Sequence, residues 1–182
     1  AWLIVDPPDG RIPPLTAAGK ERIGPPDPFQ DTGIQGIVNA RSREPSSFDA
    51  ESRFRSIDDF DLWERCITRG VPGAMMPHIL GNSYEIVQAP GLVAIRYELV
   101  HDVRIIPLDG RPHLSGRMRQ WLGDSRGRWE GNTLVVETTN FTDRTNFRGS
   151  GDRLRVVERF TRTDETTLLY QFTVDDPQTF VR

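Results

Sequence analysis

The chain has a single cysteine, Cys66, in 182 residues, which leaves no intrachain disulfide and no multi-cysteine zinc site. Lysine is as scarce: Lys20 is the only one, and arginine supplies the rest of the 23 basic residues against 26 acidic ones. The resulting formal charge of −3 argues against a nucleic-acid partner, because neutralising phosphates needs a basic surface that this balance disfavours. No apolar run approaches the ~20 residues that a membrane-crossing helix requires, so no membrane span is expected. The signatures of familiar chemistry are missing as well: there is no GxSxG, HExxH or CxxC. The glycines of GDSRGRWEG (123–131) open a hairpin and not a helix, so they lack the aligned N–H groups of a phosphate cradle. His78, His101 and His113 are 23 and 12 residues apart, unlike a compact metal-ligand pattern. No metal and no cofactor is expected.

Short alternating segments are what the chain has in quantity. Val93, Ile95, Tyr97 and Leu99 alternate with Ala94, Arg96, Glu98 and Val100, the period of two that gives a strand one apolar face. Further on, Gly131 and Asn132 stand between RGRWE and TLVVETTNF, placed to supply the positive φ angles of a two-residue hairpin turn. SYEIVQ, LVAIRYELV, VRIIPL, GRWE, TLVVETTNF, LRVVERFTR and TLLYQFTV follow one another from residue 83, separated by turn residues. Such spacing is that of sandwiches and barrels. Neighbours in sequence mostly pair, so the expectation is an all-β fold: an antiparallel up-and-down barrel or strongly bent sheet over 83–182. HLSGRMRQW (113–121) interrupts it with a helical turn at most.

The first 82 residues read differently, as an irregular arm packed on that sheet within one 182-residue domain. WLIV at 2–5 reads as a strand, Thr16 caps a short helix through Arg22, and Ile57 to Arg69 carries Phe60, Trp63 and Ile67 on one helical stripe. Between them, 27–58 has no sustained period, while Phe29, Ile34, Ile37, Phe48 and Phe54 are spaced to lie on an apolar surface. The 14 prolines and 16 glycines fit many turns and few long helices.

Candidate functional residues are the polar groups that share faces with apolar ones. His101 continues the row of Val93 to Leu99 and leads on to Val103 and Ile105; at a strand end its near-neutral titration suits a general acid or base. In that role Arg104 would hold an anionic group or oxyanion, and Glu98 or Glu137 would orient the imidazole. Glu137 and Glu158 each stand among apolar neighbours, and a carboxylate so placed needs a partner; Arg96, Arg104 and Arg159 are the available cations. A two-residue turn at Asp164 and Glu165 sets Glu158 opposite Gln171. Tyr97, His113, Trp121, Asp124, Ser125, Trp129, Asn140 and Phe141 are candidate ligand contacts, with Trp121 and Trp129 lining one pocket and the 113–125 connection meeting the end of TLVVETTNF at one mouth.

The blocks WLIVDPPDGRIPPLT, ERCITRGVPG, HDVRIIPLDGRPH, RQWLGDSRGRWEGNTLVVETTNFTD and LLYQFTVDDP resemble an uncharacterised, usually exported bacterial family of acidobacterial type. The resemblance implies a precursor with a signal peptide, a periplasmic or secreted location, and a chain running on past Arg182; it brings no activity with it. In strand order the chain is also similar, loosely, to lipocalin-like calycins. The resulting expectation is a β-barrel pocket for a small, partly apolar organic molecule, catalytic through cofactor-free lyase, isomerase or hydrolase chemistry, or a binding protein without proton transfer. A third expectation is an interaction subunit of a cell-envelope assembly. Oligomerisation is left open.

Overall fold

The structure, a computed structural model, describes residues 14–23, 57, 62, 65–76, 81–144 and 147–181. The expectations for WLIV, for the arm at 27–58 apart from Ile57, and for Phe60 and Trp63 fall outside those residues; of the helical stretch expected over Ile57 to Arg69, residues 65–69 form turns and a bend and not helix, with Cys66 at φ 55°. Thr16 does cap a helix, α1 (Ala17–Ile23), its Oγ1 accepting from Gly19 N–H at 3.0 Å. No described helix is long and apolar enough to cross a membrane.

All seven segments read as strands are strands: β1 (Tyr84–Ala89), β2 (Leu92–Tyr97), β3 (Val103–Pro107), β4 (Asp124–Glu130), β5 (Thr133–Thr139), β6 (Arg155–Arg162) and β7 (Leu168–Asp175). Each pairs antiparallel with its sequence neighbour, but in two sheets, β1-β2-β3 and β4-β5-β6-β7. Among the described residues no pairing closes a barrel, which corrects the single curling sheet expected from the sequence. The reason is the connection 108–123, which carries no strand or helix. It returns the chain so that Arg104 meets Ser125, and Ile106 meets Gly127. Those two contacts set β4 beside β3 in the same sense, without the hydrogen bonds that would join the sheets.

The inner faces pack on each other. Val93, Ile95, Tyr97 and Ile106 from the first sheet form one cluster with Leu134, Val136 and Phe160 from the second, closed at one side by Met75. A second cluster gathers Val71, Phe141, Leu154 and Val156. Gly127 lets the sheets approach: a Cβ there would stand 2.7 Å from both Ile106 and Leu108 side chains.

Two connections change the expected facing. β2 ends at Tyr97, whose N–H donates to Asp102 O at 2.9 Å across residues 98–101. Within that connection Val100 and His101 take positive φ, 63° and 57°. The register that follows pairs Ile95 with Arg104 and Arg96 with Val103. His101 therefore does not extend the apolar row; it is exposed on a 3-10 turn, Leu99–His101. Val103 and Ile105 point outward, 48% and 52% exposed, while Arg104 and Ile106 take the inner positions. At the last hairpin Asp164 Oδ1 accepts from the N–H of Thr166 at 2.7 Å, and Thr163 N–H donates to Thr167 O. This Asx turn lengthens the connection by one residue, so Glu158 lies opposite Phe172 and not Gln171.

Gly127→Val should lower unfolding stability by about 1–3 kcal/mol through overpacking. Gly131→Val, at a hairpin position with φ 62° and open space around it, should cost only about 1 kcal/mol from the backbone. Denaturant midpoints of the two variants measure the difference; equal losses would contradict the close approach at Gly127.

Candidate functional site

The inward turn of Arg104 builds a polar centre between the sheets. Its guanidinium donates from Nη1 to Glu158 Oε1 at 3.0 Å and from Nη2 to Glu158 Oε2, a two-pronged pairing. Nε donates to Ser125 Oγ at 2.9 Å and Nη2 to Thr138 Oγ1 at 2.6 Å, while Tyr170 O–H donates to Glu158 Oε1 at 2.8 Å. Arg104 and Glu158 side chains are 2% and 0% exposed. Burial works against the guanidinium charge, but Glu158 outweighs it and the proton is held more firmly than usual. Burial, then the Glu158 charge, pushes the Tyr170 hydroxyl well above its ordinary range, so it serves as a donor. The Tyr97 hydroxyl is pushed up by burial despite the nearby Arg104 charge, and it meets no partner at hydrogen-bonding geometry.

The carboxylate need of Glu158 was legible, and Arg104 is its answer. Thr138 and Tyr170 were not singled out: their roles follow from register, since Tyr170 pairs with Phe160 two positions from Glu158. Arg104 is thereby committed to the interior and does not stand open to a cavity beside His101. Ser125 turns into this centre, and Phe141 is fully buried in the second apolar cluster.

A cleft of about 390 Å³ opens at the end of β1 and β2, lined by Ser83, Tyr84, Glu85, Arg96, Tyr97, Glu98 and His101. Ser83 and Glu98 fix its floor: Glu98 N–H donates to Ser83 O at 2.9 Å, and Ser83 N–H donates back to Glu98 Oε2 at 3.1 Å. Arg96 and Glu85 form an exposed pair at 2.8 Å. Glu98 is thus engaged by backbone and not by an imidazole, and His101 has no hydrogen-bond partner among the described residues.

The other candidates lie on the second sheet. His113 Nδ1 is 2.9 Å from Asp124 Oδ2, which also accepts from Leu114 N–H at 2.9 Å; Arg126 Nη1 donates to Asp124 Oδ1 at 2.6 Å. His113 and Asp124 side chains are 27% and 5% exposed. Asn140 donates from Nδ2 to Leu114 O at 2.9 Å, and Gln120 bridges to Phe141, so the 113–121 connection does meet the end of β5. Glu137 is near His113 but bound to Arg155 at 2.9 Å, which holds its carboxyl below the usual range. It is on the outer face and cannot orient His101. Trp121 carries the Arg144 guanidinium over its ring at 5.7 Å. Trp121 precedes β4, while Trp129 is five residues into it, about 17 Å from the strand's start at ~3.3 Å per residue, so the two tryptophans belong to opposite ends of that strand. His78 lies outside the described residues, and among those described no cluster of acidic, histidine or cysteine side chains is placed to hold a metal ion.

Glu158→Gln should cost about 3–5 kcal/mol by leaving a buried guanidinium unpaired, whereas Arg104→Met with Glu158→Leu should lose much less; denaturant unfolding separates the two. The tyrosines add a pH dependence. With the Tyr170 value raised in the folded state, the native chain keeps a proton that the unfolded chain releases near pH 10, so stability falls as pH rises from about 10. Tyr170→Phe should flatten that alkaline slope, and an unchanged slope would contradict the buried donor. No family model, curated protein or solved structure matches this chain.

Proposed function

We propose that the protein binds a small, partly apolar organic molecule in the cleft between Tyr84, Tyr97 and His101, in the periplasm or outside the cell as the resemblance to exported proteins implies. In this reading the cleft at the end of β1 and β2 is the binding place, and not a barrel lumen. What carries the reading is its size and lining. About 390 Å³ lies within the usual range for small-molecule sites, and two tyrosines beside a few charged groups fit a ligand with an apolar body and a polar handle. Of the two expected versions, binding without proton transfer is favoured here. An acid or base at His101 would need a second group to fix its tautomer, and Glu98 is occupied by Ser83 N–H.

Titration of the full chain with a panel of aromatic and heteroaromatic carboxylates and amides, followed by amide NMR shifts, tests this. Shifts should cluster at Tyr84, Arg96, Tyr97 and His101, and Tyr84→Ala should weaken binding at least about tenfold. Shifts scattered over both sheets, or affinity unchanged in Tyr84→Ala, would refute it.

A further inference from the structure

A second place in the molecule has the orienting partner that His101 lacks. The imidazole of His113 is held through Nδ1 by Asp124, a buried carboxylate that is itself fixed by Leu114 N–H and Arg126. A carboxylate on Nδ1 fixes that nitrogen as the N–H and leaves Nε2 as the lone-pair nitrogen. Nε2 has no partner among the described residues, and the ring is partly open to solvent. Two charged groups beside the pair are already matched, Arg126 to Asp124 and Glu137 to Arg155. Recognition therefore falls to the surface of the same connection, where Leu114 and Met118 are exposed and Trp121, also exposed in part, carries Arg144 over its ring.

From this geometry we propose that His113 and Asp124 form a general acid–base dyad that hydrolyses small uncharged carboxylic esters, seated on Leu114, Met118 and Trp121. Nε2 takes a proton from a water molecule as the water oxygen bonds to the ester carbonyl carbon. The tetrahedral intermediate collapses, the bond from carbon to the alkoxy oxygen breaks, and the imidazolium returns the proton to the leaving alkoxide. Water and ester give acid and alcohol, and the dyad is restored. His113 is the catalytic residue; Asp124 is a positioning residue that holds the ring and stabilises the imidazolium. The site is separate from the cleft at Tyr84 and does not depend on ligand binding there.

The test is hydrolysis of p-nitrophenyl acetate and butyrate by the full chain, with initial rates followed to saturation. The wild-type rate should saturate with ester concentration. His113→Asn keeps an N–H for Asp124 but offers no base, and it should lower kcat at least about 100-fold with an unchanged melting temperature. Asp124→Asn should lower kcat with KM within about twofold, a split that loss of a loop contact alone would not produce. A wild-type rate that rises linearly without saturation, or His113→Asn within twofold of wild type, overturns the proposal. Should His113→Asn fail to fold, carbethoxylation of the wild-type chain decides: turnover lost as His113 is modified supports the dyad, and turnover retained overturns it.

Discussion

The pairing of Arg104 with Glu158 is the constraint to which the two sheets answer. One partner comes from β3 and the other from β6, and no hydrogen-bonded strand pair joins their sheets. Withdrawing both charges from water carries a penalty of several kcal/mol per ion, offset only if the lone pairs and N–H groups left over are also satisfied. Ser125, Thr138 and Tyr170 meet that condition, one from each of β4, β5 and β7. Every strand of the larger sheet thus contributes to a single centre, so sliding either sheet by one residue would strand a charge. An apolar core tolerates such slips more readily than a charged one.

The same centre closes the interior. With Ile95, Ile106, Val136 and Phe160 packed about the ion pair, the interior is a core and not a lumen. Open space remains at the ends, where the strands of the smaller sheet stop. Tyr97 connects the two regions, lining the cleft while its hydroxyl lies next to the Arg104 charge. The His113 connection lies across the second sheet, beyond that interior, anchored at Asp124 and Asn140.

Much of the fold was legible because strands such as β2, β3 and β6 alternate buried with more exposed positions, which writes a period of two into the sequence. The turn at Gly131 and Asn132 was legible for a similar reason: few residues accept the backbone it needs. What the sequence does not display is phase. The run from Val93 to Ile105 alternates without a break, yet left-handed backbone at Val100 and His101, a β-branched residue and an imidazole, reverses the facing of everything after it. That reversal takes Arg104 from the anion-holding place expected beside His101 into the centre with Glu158, and so parts it from His101. The Asx turn at Asp164 did the same on a smaller scale, shifting the partner of Glu158 by one position. His113 and Asp124 were both noted, but only the folded connection brings them within 2.9 Å.

The connection 98–101 therefore acts as a selector between two interiors written into one strand. Val103 and Ile105 form an oily alternative to Arg104 and Ile106, and a change of one residue in the length of that connection would exchange them. The fold is then set less by strand composition than by the spacing of four loop positions, where inserting or deleting a single residue would turn the ionic heart of the molecule out to water.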